Sequence, residues 1–235
     1  MKKLPSLCVL GLIFLTITSY AENPYFYGGN FDPLDPRANG LANENTSIVG
    51  GDPYGAAVYQ NFYAESNITV TGLFTNNLST FTPRSGYWEI RSGVSEGNGG
   101  TLIASGTGAV TNAPTGRSFL GDDEYTNAVT GLSVDLPTNQ YWFAVVPVCT
   151  TCAGESFNTN TFGLYSIGKS DLNQEFFNSP SGPSFTNANN VCPHCEFPTF
   201  SSGVYAVQNV PEPASLLLLG TGALGAIAAL KRKMV

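Results

Sequence analysis

From Gln140 to Val148 the chain reads Gln-Tyr-Trp-Phe-Ala-Val-Val-Pro-Val. Its aromatic and β-branched content reads as a strand. Both alternating sets are apolar: Tyr141, Phe143 and Val145 on one side, Trp142, Ala144 and Val146 on the other. A strand that is apolar on both faces belongs at the centre of a layered fold, not at its surface.

The rest of the body is consistent with that placement. Ala57 to Tyr63 and Ile68 to Phe74 read as early strands, with Ile68, Val70 and Phe74 on one face at period two. Tyr87 to Arg91 follows, with Trp88 and Ile90 inward and Glu89 and Arg91 outward. Gly97-Asn98-Gly99-Gly100 breaks the chain before Leu102 to Ala104, which predicts a hairpin with a long turn. Leu132, Val134 and Leu136 alternate, and Phe162 to Ile167 and Val204 to Val207 complete about eight strands. No amphipathic helix of useful length and no internal repeat is present. Short strands between Gly, Pro and Asn breaks predict an all-β fold, a two-sheet β-sandwich or jelly roll.

The two ends differ from this body. Lys2 and Lys3 precede an apolar stretch from Leu7 to Ile17, and Ser19-Tyr20-Ala21 offers a cleavage site after Ala21, the order of a secretory signal peptide. The last residues run Val210-Pro211-Glu212-Pro213, then an apolar span from Ala214 to Leu230, then Lys231-Arg232-Lys233. As a helix the span covers roughly 26 Å, just short of the hydrocarbon layer. The three bases should stay cytoplasmic, which puts the body outside. Pro211 and Pro213 keep the motif extended and open to a protease.

This C-terminal order resembles the PEP-CTERM sorting signal of Gram-negative bacteria. The resemblance rests on Val210, Pro211, Glu212 and Pro213, the span, and the basic stop Lys231, Arg232 and Lys233. It implies a transient membrane anchor, recognition by a membrane-embedded exosortase, cleavage near the motif, and release to the cell surface or an extracellular polymer matrix. The chain then divides into a signal peptide at 1–21 removed by signal peptidase, one β-sandwich domain at 22–209, and a sorting signal at 210–235. The body also resembles a group of uncharacterised exported PEP-CTERM proteins through "GYWEIRSGVSEGNGGTLIASGTG", "EYTNAVTGLSVDLPTNQYWFAVVPV" and "FSSGVYAV". That resemblance implies one exported β domain and assigns no catalytic residue.

Trimming the ends removes half of the bases. The body keeps Arg37, Arg84, Arg91, Arg117 and Lys169 against sixteen acids, a formal charge of −11. Nucleic-acid binding needs bases to displace counterions from phosphates, so that class is excluded.

Four cysteines remain in the body, as Cys149-Thr150-Thr151-Cys152 and Cys192-Pro193-His194-Cys195. Zinc knuckles use such pairs, but the spacer is long and exported thiols oxidise. The second pair looks like a thioredoxin-fold dithiol motif, in which the first cysteine caps a helix; Pro198 soon after argues against one here. Structural disulfides are the favoured reading. Bonds across the two pairs would close loops of some forty residues, worth roughly 4 kcal/mol against roughly 2 kcal/mol within each pair, so crossed pairing is expected.

Other chemistry is sparse. His194 is the only histidine and lies between two cysteines, which leaves no Ser-His-Asp centre. Asp122, Asp123 and Glu124 could offer hard oxygens to calcium, although they lack the spaced ladder of a calcium loop. Tyr25, Phe26 and Tyr27 could stack on sugar rings, with a packed N-terminal strand the better default. No cofactor is expected. The expected function is a non-enzymatic surface or matrix protein with polysaccharide or adhesive contacts. The alternative is a secreted polysaccharide-active enzyme using two carboxylates, which a fold can bring together without any trace in the sequence.

Overall fold

The computed structural model describes residues 23–47, 55–180, 182, 184–192 and 194–209. The predicted signal peptide and sorting segment lie outside these residues. Strands are numbered in chain order. One sheet has eight: β1 (Phe26–Tyr27), β2 (Gly40–Ala42), β5 (Ile68–Ser79), β8 (Thr111–Phe119), β9 (Asp122–Leu136), β11 (Ser156–Thr161), β14 (Thr199–Phe200) and β15 (Ser202–Gln208). The other has seven: β3 (Asn45–Thr46), β4 (Ala57–Ala64), β6 (Ser85–Ser92), β7 (Thr101–Ala109), β10 (Asn139–Cys149), β12 (Phe176–Asn178) and β13 (Thr186–Asn187). Apart from one short helix, α1 (Ala188–Val191), the described residues are strands and loops. This is the expected all-β, two-sheet architecture.

The strand that anchors the sequence reading sits where its pattern demands. β10 pairs with β4 on one side and β6 on the other. Its Tyr141, Phe143 and Val145 enter the core between the sheets, against Phe26, Ile68, Val70, Leu73, Val129 and Val204 of the eight-stranded sheet. Its Trp142, Ala144 and Val146 face the opposite way and are buried by Phe176 and Phe185. Phe176 of β12 and Phe185, just before β13, thus lie over the outer face of the central strands of the seven-stranded sheet. The β6–β7 hairpin forms as expected across the Gly97–Gly100 break, with Ile90 opposite Ala104.

Three local expectations are corrected. Phe162 to Ile167 is not a strand; the ladder runs one segment earlier, in Ser156–Thr161. That strand is polar in sequence yet buried, because its amides and hydroxyls are hydrogen-bonded inside: Asn158 Nδ2 donates to Ser202 Oγ at 2.9 Å, and Asn77 Nδ2 to Ser156 Oγ at 2.7 Å. An apolar-pattern search passes over such a strand. Glu89 does not reach solvent. It leaves the sandwich core as predicted but is 0% exposed, because the cover from Phe176 and Phe185 lies over that face. Tyr59, Tyr87 and Arg91 all donate to its carboxylate.

The third correction shapes the functional site. Ile68 and Val70 face the core, but Phe74 does not share their face. Against β15 the register shifts by one residue, with Tyr205 opposite Gly72 and Ala206 opposite Val70, so that Thr71 is extra; a one-residue bulge in a ladder of period two transfers every later side chain to the other face. Leu73 therefore takes the core position and Phe74 turns to the outer surface of the eight-stranded sheet. Gly72 permits this crowding, since a Cβ there would lie 2.9 Å from the Val129 carbonyl oxygen.

Candidate functional site

The outer face of the eight-stranded sheet carries an open groove of about 510 Å³. Five strands contribute to it: Tyr27 from β1, Tyr205 from β15, Phe74 and Asn76 from β5, Thr126 from β9, and Thr115 and Arg117 from β8. The loop after β11 adds Tyr165 and Ile167 at the rim.

Three rings lie in a row at the groove, the two tyrosines partly exposed and Phe74, 5% exposed, packed between them. The centroids of Tyr27 and Phe74 are 5.5 Å apart, and those of Phe74 and Tyr205 are 5.1 Å apart. Both contacts are tilted rather than face to face, as ring quadrupoles prefer. Gly203 makes room for the middle ring, because a Cβ there would come within 2.3 Å of Phe74 Cζ. Tyr165 stands 71% exposed at φ +61°.

Polar groups fill the spaces between rings. Tyr27 Oη donates to Asn30 Oδ1 at 2.7 Å, and Asn76 Nδ2 donates to Ser201 Oγ at 2.8 Å. Thr126 Oγ1 donates to Asn76 Oδ1 at 2.6 Å. Burial raises the Tyr27 phenol above its usual value, opposed chiefly by its contact with Ser201. Arg117 Nε donates to Glu124 Oε2 at 2.5 Å, and Arg117 Nη1 reaches Asn30 Oδ1 at 3.4 Å. Glu124 itself is fully buried, with Thr115 Oγ1 donating to Oε2 at 2.7 Å and Thr159 Oγ1 to Oε1 at 2.8 Å. Both of its carboxylate oxygens are thus engaged inside the protein.

The structure separates the calcium candidates. Asp122, Asp123 and Glu124 are consecutive on β9, so Asp123 points to the face opposite the other two. Glu124 is committed to Arg117 and two threonines. No group of three His, Cys, Asp or Glu side chains that could hold a metal occurs among the described residues. Of the three N-terminal aromatics, Phe26 enters the core, Tyr25 packs at its margin, and Tyr27 alone lines the groove.

The four cysteines form two disulfides, but not the crossed ones. Cys149 bonds to Cys152 and Cys192 to Cys195, each closing a tight turn with Cα atoms 5.3 and 5.2 Å apart. The crossed expectation required the end of β10 to adjoin the segment before β14. Instead the end of β10 pairs with β3, and Cys192 and Cys195 pack near Phe197 and Phe200. Loop entropy favours a long closure only where the fold brings the ends together. The second pair also lacks a redox context: α1 ends at Cys192, so the cysteine follows a helix and does not open one.

Sequence reasoning missed Phe74, Arg117, Tyr165 and Tyr205. The one available signal was Gly72 directly after the β-branched run Ile68-Thr69-Val70-Thr71, which marks a bulge.

No curated protein and no solved structure matches this chain. The domain is a two-sheet β-sandwich with an aromatic groove on one outer face. The chain carries the PEP-CTERM protein-sorting motif, matched at residues 209–233. It is accordingly an exported protein sorted by exosortase to the cell surface. The motif residues Val210, Pro211, Glu212 and Pro213 and the stop residues Lys231, Arg232 and Lys233 lie outside the described residues. Among the described residues no helix is long and apolar enough to cross a membrane.

Proposed function

We propose that the exported domain is a non-enzymatic surface or matrix protein that holds polysaccharide in the groove of the eight-stranded sheet. The observation that carries this reading is the row Tyr27, Phe74 and Tyr205, interleaved with Asn30, Asn76, Thr115 and Thr126. A sugar offers an apolar ring face and a hydroxylated edge. Flat aromatic surfaces with convergent amides and hydroxyls complement both. The alternative, hydrolysis by a carboxylate pair, needs two acids facing a cleft at workable separation. Among the described residues the lining of this groove includes none, and Glu124 beneath it has both oxygens engaged.

The test uses the mature domain and a panel of exported bacterial polysaccharides. Saturable binding without product release, weakened by Tyr205→Ala, is the expected result. Reproducible cleavage abolished by a single Asp→Asn or Glu→Gln change that leaves the fold intact would overturn it.

A further inference from the structure

We propose that the groove selects neutral glycans over uronic-acid polymers, with Glu124 setting that selectivity by neutralising Arg117 from beneath. This rests on the polysaccharide-binding reading and adds the chemical class of the ligand. Arg117 is the one charged side chain among the lining residues. An arginine in an aromatic groove ordinarily suggests an acidic ligand, because its fork matches a carboxylate. Here the Nε side of the fork is already taken at 2.5 Å by Glu124. The Tyr27 phenol next to the pair is acted on by Arg117 and Glu124 in opposite senses. What the pair offers outward is a rigid guanidinium edge that can donate to hydroxyl oxygens, with little net charge behind it.

The rest of the molecule gives an acidic polymer no compensation. The body carries a formal charge of −11. Its four other bases are placed elsewhere. Arg37 pairs with Asp35 at 2.8 Å and Arg91 with Glu89 at 2.5 Å. Lys169 lies 4.6 Å from the Tyr63 ring, and Arg84 lines a separate hollow beside Cys149 and Cys152. A polyuronate crossing the groove would present repeated carboxylates to one neutralised arginine, in the field of an acidic protein. A neutral chain meets the same rings, amides and hydroxyls without that repulsion.

The experiment titrates the mature domain with neutral glucan, mannan and galactan oligosaccharides and with their C6-carboxylated derivatives, at low and high salt. At least one neutral member should bind, its carboxylated partner about tenfold more weakly or worse. Neutral binding should change little with salt, and Tyr165→Ala and Arg117→Lys should each weaken it. Glu124→Gln should release the arginine charge and raise affinity for the carboxylated partner in a salt-sensitive manner. If Glu124→Gln does not fold, the wild-type pair of titrations and Arg117→Lys decide the matter. Tighter, salt-sensitive binding of the carboxylated form by the wild type would overturn the selectivity while leaving glycan binding in place. Neutral binding indifferent to Tyr165→Ala and Arg117→Lys would overturn the assignment to this groove. Failure of every member of both sets to bind would overturn the underlying polysaccharide reading, and this inference with it.

Discussion

The two outer faces of the sandwich are built alike and finished differently. Each has a fully buried glutamate tied to an arginine at 2.5 Å, Glu89 with Arg91 on the seven-stranded sheet and Glu124 with Arg117 on the eight-stranded one. Each surrounds the pair with aromatic rings. On the seven-stranded face the chain covers its own work: Phe185 lies 5.1 Å from the Arg91 guanidinium and 4.9 Å from the Tyr59 ring. On the eight-stranded face the corresponding surface is left as a groove, with Tyr165 at its rim. One face therefore completes a core, and the other leaves Tyr27, Tyr205 and Arg117 partly exposed above a buried Glu124. Similar chemistry becomes buried core or open groove according to whether later side chains lie over it.

The largest effect should come from uncovering the closed face. Phe185→Ala removes its central ring and should cost about 3–5 kcal/mol, read as a lowered thermal midpoint. A near-wild-type midpoint would mean that the cover is peripheral and the contrast between the faces superficial.

The next effect concerns pH. At the passage between the sheets, burial pushes the Glu44 carboxyl up to about 7, partly opposed by the Ser156 amide that donates to it. A carboxyl raised in the folded state binds protons there that the unfolded chain has already released. Stability should therefore be greatest below about pH 4.5 and decline as pH rises towards 7, by on the order of 3 kcal/mol in all. Glu44→Gln should flatten that decline in denaturant titrations at pH 5 and pH 8. Burial also raises Glu175, which lies in the covering segment with Oε2 unpartnered. A pH slope that survives Glu44→Gln and disappears in Glu175→Gln would assign the sensitivity to the covered face.

Smaller again are the disulfides. Replacing Cys149 and Cys152 by serine, or Cys192 and Cys195, should cost roughly 2 kcal/mol per pair, since each closes a very short loop. Only the second pair packs beside the hydrophobic cluster around Phe197 and Phe200. Its removal should therefore also increase proteolysis within 170–199, while removal of the first should not. Peptide mapping with intact disulfides gives the pairing directly.

The smallest stability effect is expected on the open face. Tyr165→Ala removes an exposed ring at positive φ and should change stability by no more than about 0.5 kcal/mol, while weakening glycan binding measured by titration. A large loss of stability would make Tyr165 a packing residue and close the distinction between the two faces.

Much of this molecule is a local property of the chain. The alternation in Gln140 to Val148 determines a doubly buried strand, because period two and apolarity act within a few residues. The β6–β7 hairpin follows from its glycine-rich break, and the sorting address is a linear motif read as such. The groove is of another kind. Tyr27 and Tyr205 are far apart in sequence and meet because β1 pairs with β15 and β15 with β5. Phe74 joins them only because a one-residue bulge reverses the facing of the end of β5. Glu89 is buried only because a segment some ninety residues later lies over it. The disulfide partners were settled by which strand ends adjoin, not by loop length. Periodicity, composition and short motifs are written in neighbouring residues; facing after a bulge, cover by a distant segment and contact across strands depend on long-range pairing, which only the folded chain decides.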